Sequence, residues 1–483
     1  MSALDPTDGA EVKAVQVQTS STIHDEDVAS KEQGLPSTSV PDKKLLRRID
    51  LHVMPFLCIL YALSLIDRTN LSSAKVAGMD VDLVLTGSRY SVVALVFFPI
   101  YILVEIPTNS VLRWVGTRKL LSGMIFCWGV VAMCCGFVKS YEQLIGVRIL
   151  LGFFEGGFNP ACIYIITCWY KRYETQQRLA VWYVFGAAVN GFNGVLSYGL
   201  SKMEGAGGLR GWRWIFIIPG LVTAVLAVPI YLYITEFPEK AKWLKSGELE
   251  QIQDRIQQDR GEVYSDRVSF KSTMEALCDW KCWSLALLFF WVATGSYSLS
   301  FFTPSILKGL GYSTALSQIL VTPPYLLAVL CSVAASVVAD RVQHRSPFII
   351  FFMVMTIVGL IMIAFGNNLG CKLTGLFIAI CGNNSAIPAV IAFLANNIPQ
   401  SNKRAIAVPL QTGFSGLGGI AGSLIFREQD YPRYLFGIYA SLTSMSICIA
   451  MTLLIVAIFR NENKKAEMEG KILQDTPGFR YTL

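Results

Sequence analysis

Charge is scarce in this chain. Aspartate, glutamate, lysine and arginine make up 16% of its 483 residues, against 53% hydrophobic, a balance outside the soluble globular range. Histidine is scarcer still, limited to His24, His52 and His344, which fall in the N-terminal segment, at the start of the first apolar stretch and in a loop. A membrane-embedded acyltransferase would want an imidazole inside a span as its base, so no enzymatic activity is expected. No apolar core of signal-peptide type stands near the N-terminus. Residues 1–42 are acidic, rich in serine and threonine and poor in aromatics, the composition of a disordered cytosolic tail.

Cysteine is not scarce, but it builds no framework. Most of the twelve, among them Cys58, Cys127, Cys162 and Cys381, lie in apolar stretches, where a thiol behaves as a small hydrophobe. Cys278 and Cys282 are four apart with no third cysteine or histidine nearby, short of a metal shell. The glycine-rich run Gly413–Gly422 lacks the Lys-Ser/Thr that completes a phosphate loop. No metal and no cofactor are expected.

What is present is apolar length. Residues 120–138, 179–201, 214–235, 282–307, 309–339, 373–402, 405–426 and 434–459 contain no charged side chain, and each is close to or above the roughly 20 residues that cross hydrocarbon. Four charge-bearing stretches, near 51–74, 90–112, 142–170 and 346–371, bring the candidates to twelve. An all-α polytopic membrane protein of twelve transmembrane helices follows.

The net charge of +7 is no nucleic-acid footprint. Its basic residues gather in alternate loops: Lys43, Lys44, Arg47 and Arg48, then Arg118 and Lys119, then Lys171 and Arg178, and later Arg341, Arg345, Lys403, Arg404 and Arg460. That positive-inside pattern puts both termini in the cytosol. The spans divide into six-helix bundles at 43–240 and 281–460, joined by a polar cytosolic linker at 241–280 and followed by a cytosolic tail at 461–483. Within the linker, Ala241–Arg260 has helix-forming composition, with Ser246 as N-cap. A weak internal repeat supports the halving: Arg113-Trp-Val-Gly-Thr-Arg-Lys119 corresponds to Asp340-Arg-Val-Gln-His-Arg345.

The informative residues are the charges left inside the spans. A charge at the centre of a membrane helix costs about 2.5–3.5 kcal/mol on insertion scales. Arg148, Gly152, Glu155 and Asn159 follow a helical ladder and share one face, which must look at protein or a wet cavity. Arg148 and Glu155 stand about 10 Å apart along the axis, so each needs its own partner. A desolvated Glu155 could exchange protons near neutral pH. Arginine does not deprotonate and grips carboxylates with a bidentate fork. Asp67 and Arg68 are neighbours on the first span; they either sit at its aqueous end or serve as a titratable carboxylate and an anion contact. Tyr101 and Glu105 share a face, with Glu105 open between a lining role and an interhelical anchor. Asn190 and Asn193 lie among small residues and are read as packing. Tyr297 and Asn384 are neutral polar candidates in the second half, alongside Ser300, Tyr325, Asn383 and Gln411.

At these residues the chain resembles the major facilitator superfamily, in particular its fungal anion:cation symporters of the allantoate permease type. The matching stretches are Leu65-Ile-Asp-Arg-Thr-Asn-Leu-Ser-Ser-Ala-Lys75, Phe98–Asn109, Arg148–Pro160, Gly211–Ile218, Phe237–Trp243, Lys403-Arg-Ala405 and Pro477–Tyr481. The resemblance implies two six-helix bundles, alternating access and a proton-driven anion site between the halves. It implies Asp67 and Glu155 as proton sites and Arg68 and Arg148 as substrate contacts; beside them Tyr101, Asn159, Tyr297 and Asn384 are the substrate-binding candidates read from the spans. The chain departs from the family in two places. Pro219 stands where relatives often carry a glutamate, and the first-half basic loop lacks its acidic residue, leaving Asp340 and Arg341 as the gating loop. The expected activity is proton-coupled uptake, across the plasma membrane or an intracellular one, of a small organic anion such as a nicotinate- or pantothenate-type monocarboxylate or an allantoate-type ureido acid. The alternative is export of a secondary metabolite or toxic acid. The partners expected are the anion, protons and the bilayer, with the carrier a monomer.

Overall fold

The computed structural model describes residues 42–241, 243–245, 247–260, 270–342, 344–426, 430, 434–474 and 479–483. In chain order the first-half helices are α1 (Asp42–Ala74), α2 (Arg89–Leu95), α3 (Phe97–Val115), α4 (Thr117–Cys134), α5 (Tyr141–Glu155), α6 (Phe158–Trp169), α7 (Arg172–Gly191), α8 (Asn193–Ser201) and α9 (Gly211–Tyr233). Two polar helices follow, α10 (Glu248–Arg260) and α11 (Phe270–Cys278). The remainder are α12 (Trp280–Gly309), α13 (Thr314–Ile319), α14 (Thr322–Val342), α15 (Ser346–Phe365), α16 (Leu369–Asn397), α17 (Ser401–Ile425) and α18 (Leu435–Met468). Among the described residues ten helical stretches are long and apolar enough to cross a membrane. The two remaining sequence candidates correspond to α2–α3 and α17, which are helical.

Several spans are split, and proline accounts for three of the breaks. A proline has no N–H for the carbonyl four residues back. Pro99 therefore removes the usual donor to the Leu95 carbonyl where α2 meets α3, and Pro160 the usual donor to that of Gly156 where α5 meets α6. Pro323 and Pro324 do the same to Ile319 and Leu320 between α13 and α14. The α1 helix ends differently: it passes into a π-helical turn, Lys75–Met79, in which Gly78 adopts φ +110°.

Close packing follows small residues, as in membrane bundles generally. α4 and α9 approach so nearly that a Cβ on Gly129 would strike the Ala224 backbone, and one on Gly220 the Met133 backbone. Within the first half α1 packs on α7 and α9, and α5 on α3 and α4. Within the second half α12 packs on α16, α17 and α18, and α15 on α16. The halves meet where α1 touches α12, α2 and α3 touch α17, and α7 touches α14.

The acidic residue missing from the first basic loop is supplied from a distance. Glu236, just beyond α9, accepts the backbone N–H groups of Thr117 at 3.0 Å and Arg118 at 3.2 Å, capping α4. Helix α10 is held against the first half by Arg48–Glu248 at 2.6 Å and Arg255–Glu174 at 2.9 Å. Ser246, the expected N-cap, and the expected tail up to residue 41 lie outside the described residues. Glu248 instead reaches back to accept the Lys245 N–H at 2.9 Å. Helix α18 continues beyond Arg460 to Met468, and the chain returns so that Tyr481 stacks on Phe459 at 4.3 Å.

Candidate functional site

Buried charges lie inside the first half, and those on the expected site face protein: Asp67 is 5% exposed, Arg68 8%, Arg148 3% and Glu155 0%, with Glu105 and Lys75 buried as well. Their partners cross between helices. Oε1 of Glu155 on α5 accepts from Arg68 of α1 twice, Nη2 at 2.7 Å and Nε at 3.0 Å, and from Ser64 Oγ at 2.6 Å. Its other oxygen, Oε2, is buried with no hydrogen-bond partner. The remaining Arg68 nitrogen, Nη1, donates to the Tyr297 hydroxyl of α12 at 2.9 Å. One guanidinium thus joins the two halves of the molecule.

Neighbouring residues on a helix diverge by about 100°, and Asp67 diverges from Arg68 accordingly. It lies within reach of the charges of Glu155, Arg148 and Arg68, and Asp67 and Arg148 act on each other through space. They make no direct hydrogen bond: Oδ2 of Asp67 and Nε and Nη2 of Arg148 are buried without partners, while Oδ1 accepts weakly from Asn70 at 3.4 Å. The expectation that Arg148 and Glu155 need separate partners meets one direct contact, Arg68–Glu155, while Arg148 and Asp67 interact through space alone.

The ladder face on α5 is fixed by close packing on α3. A Cβ at Gly152 would strike the Phe97 carbonyl, and one at Gly156 the Tyr101 carbonyl. That approach brings Tyr101 to the site, where its hydroxyl accepts from Asn159 Nδ2 at 2.7 Å. The Arg68 guanidinium also lies 5.1 Å from the Tyr101 ring centre and 5.6 Å from that of Phe97, favourable placements for a cation. Glu105 is buried, with Oε1 unpaired, and faces Gly413 of α17 at the junction of the halves.

Asn190 and Asn193, expected as packing residues, are part of a polar network with α1. Thr69 Oγ1 donates to Asn190 Oδ1 at 2.8 Å, and Asn193 Nδ2 donates to Thr69 Oγ1 at 2.8 Å and Asn70 Oδ1 at 3.1 Å. Sequence reading also missed Ser64, whose only signal was its place one turn before Arg68. In the second half Asn384 is half-buried and accepts from Ser296 Oγ at 3.3 Å, one residue from Tyr297. Asp340 and Arg341 are in the last turn of α14 and not in the following loop; Arg341 is exposed, and the Asp340 side chain lies outside the described ones. Among the described residues no group of three or more His, Cys, Asp or Glu could hold a metal ion.

Comparison with known proteins gives this geometry a family. A high-affinity nicotinic acid transporter of Saccharomyces cerevisiae is 30% identical over 438 residues, covering 90% of this chain and 81% of that protein. An uncharacterized transporter of Schizosaccharomyces pombe is 30% identical over 424 residues, 88% of this chain and 85% of its own length. A solved bacterial homologue of the human lysosomal transporter Spinster, inward-facing and occupied, shares the fold with TM-score 0.65 at 17% identity, over 85% of this chain and 97% of that one. The Major Facilitator Superfamily model matches residues 57–423. This chain is a membrane transporter, and it belongs to the Major Facilitator Superfamily.

Proposed function

We propose that the chain is a proton-coupled symporter that takes up a small monocarboxylate of nicotinate type across the plasma membrane, both termini cytosolic. The observation that carries the reading is the Arg68 guanidinium, held by Glu155 on one side and touching Tyr297 of the other half. A nicotinic acid transporter among the relatives supports the carboxylate class, and the one-sided basic loops support the orientation.

The coupling follows from charge balance in a low-dielectric interior. With Glu155 ionised, its charge and that of Arg68 cancel, and the empty carrier can rock between its two faces. A proton on Oε2 of Glu155 removes that cancellation and frees the Nε/Nη2 edge of Arg68 for a substrate carboxylate. The loaded site is then neutral again. A proton without substrate leaves Arg68 uncompensated, and substrate without a proton leaves two carboxylates on one arginine; both are costly in a buried site. Only the empty and doubly loaded forms cross cheaply, which is symport.

Tyr101, Asn159 and Tyr297 supply the walls around the anion contact. The geometry favours Arg68 over Arg148 for that contact, because Arg148 faces Asp67 inside the first half. Asp67 is the second proton carrier in this reading, with Arg148 its counter-charge. One proton per monocarboxylate gives electroneutral uptake, and a second on Asp67 makes it electrogenic. The test is uptake of labelled nicotinate, pantothenate and allantoate at several external pH values in cells lacking endogenous carriers. Accumulation that rises as external pH falls is expected for one of them. Lowered internal label would indicate export, and no response to any carboxylate would refute the reading.

A further inference from the structure

The glycine run Gly413–Gly422 of α17 has two faces. Gly418 and Gly422 let α17 lie against α12 of its own half, where a Cβ would strike the Phe290 and Thr294 carbonyls respectively. Gly413, Gly416 and Gly419 meet α3 of the first half, on which Phe98, Ile102 and Glu105 share a face at i, i+4 and i+7. A Cβ on Gly419 would strike the Phe98 ring, and one on Gly416 the Ile102 side chain. One on Gly413 would stand 3.9 Å from Oε2 of Glu105. Before Phe98 the seam continues on α2, where Ser91 Oγ donates to the Phe426 carbonyl at 3.5 Å. In the orientation proposed above, this seam closes the outer side between the halves, and Glu105 is at its inner edge.

Glu105 is 4% exposed, and its Oε1 has no hydrogen-bond partner. The charge that reaches it through space is that of Arg68, whose three nitrogens are already given to Glu155 and Tyr297. Tyr101, one turn before it, is engaged with Asn159. Of the elements packed on α3, α17 has no charged side chain between residues 405 and 425, and α6 has none. On α5, Glu155 is held by Arg68, and Arg148 lies two turns further along. Arg89 of α2 and Arg118 and Lys119 of α4 stand at helix starts. An ionised carboxylate in the closed seam has nothing to replace its hydration, and a proton relieves that cost.

We propose that Glu105 is a proton-operated latch on this seam: α3 closes on α17 over the neutral acid, and ionisation in water holds the two apart. α3 and α17 belong to opposite halves, so rocking parts them and wets Glu105 from outside. The proton is taken from that side and returned to it. Acid outside therefore permits the outer seam to close, and Glu105 gates the cycle without carrying a proton across. The latch goes beyond the carboxylate reading and holds for any substrate.

Thiol pairs test it without substrate. Ile102→Cys with Gly416→Cys spans the seam where the two residues touch, and the native Cys331 and Cys381, 3.7 Å apart within the second half, serve as reference. The whole carrier in nanodiscs is oxidised briefly with iodine at several pH values, and both linked peptides are quantified by mass spectrometry. With Glu105 present, seam linkage relative to the reference should fall by roughly ten-fold from acid to alkaline pH, because the closed state excludes the ionised form. Glu105→Gln should hold it at the acid level throughout, and Glu105→Asp, which restores a carboxyl, should bring the fall back. The same profile with Glu105 and with Glu105→Gln overturns the proposal. Should Glu105→Gln not fold, the carrier with Glu105 decides: a fall shared by Glu105→Asp supports the latch, and a flat profile overturns it. Carboxylate uptake is scored separately, so the failure of either reading leaves the other standing.

Discussion

Arg68 gives two of its nitrogens to the same oxygen of Glu155, at 2.7 and 3.0 Å, while the other oxygen of that carboxylate is buried and unpaired. A structural ion pair would use both oxygens in a side-by-side fork. Here one oxygen is committed and the other is available to a proton, while the third arginine nitrogen reaches the opposite half at Tyr297.

Arg68→Lys keeps the charge but replaces a planar fork with a single point. Uptake should fall at least ten-fold, because neither Glu155 nor a substrate carboxylate can be held through two donors. Arg68→Ala leaves Glu155 buried and uncompensated, which costs about 3–5 kcal/mol for such a group. Thermal unfolding of the purified variant should show the loss. Transport by Arg68→Ala at wild-type rate would remove the anion contact.

Tyr297→Phe removes one hydrogen bond to Arg68 and leaves the ring. The expected effect is a rise in KM of about three- to ten-fold, from a bond worth about 0.5–1.5 kcal/mol, with little change in yield of folded protein. Measured KM within error of wild type would show that the contact between the halves at Arg68 does not matter to binding.

Asp67 and Arg148 should behave as a unit. Arg148→Met alone strands a buried aspartate, whereas Asp67→Asn with Arg148→Met removes both charges together. The double variant should be more stable than the single one, and its KM should stay within about three-fold of wild type, since neither residue touches the anion in this account. A KM raised far beyond that would return Arg148 to the substrate.

Glu236→Ala should lower the unfolding midpoint without altering substrate selectivity. It deletes the carboxylate that caps α4 through the Thr117 and Arg118 N–H groups, and caps of this kind are worth about 0.5–2 kcal/mol. An unchanged midpoint would show that the termini of α4 and α9 are held together by packing alone.

Much of the fold was legible because hydropathy reports burial in a bilayer directly. Charge-free stretches of about 20 residues have few alternatives. The breaks were not legible, since Pro55, Pro107, Pro219, Pro304, Pro388 and Pro409 lie inside continuous helices while Pro99, Pro160 and Pro323–Pro324 stand beside breaks. The candidate site was legible in part for a related reason: a charge kept inside a span at a cost of kilocalories needs protein around it, which pointed to Arg148 and Glu155 and left Asp67 and Arg68 open. What the sequence could not show was pairing. Helical periodicity puts Arg148 and Glu155 on one face, but whether Arg68 or another cation meets Glu155 depends on how α1 lies against α5. The polar parts of Asn190, Asn193 and Ser64 were hidden for the same reason, since a small polar residue in a membrane helix packs and bonds equally well. Glu236 was missed because it lies over a hundred positions from the loop it caps.

The coupling at stake is one proton on Glu155 carried together with one carboxylate on Arg68. It is tested most directly by following internal pH in proteoliposomes when nicotinate is added outside. The wild type should acidify the lumen with nicotinate. Glu155→Gln should bind nicotinate and exchange it across the membrane while moving no protons from that site, so acidification should be lost or reduced to the Asp67 share. Acidification of undiminished size in Glu155→Gln, with nicotinate still crossing, would contradict the account.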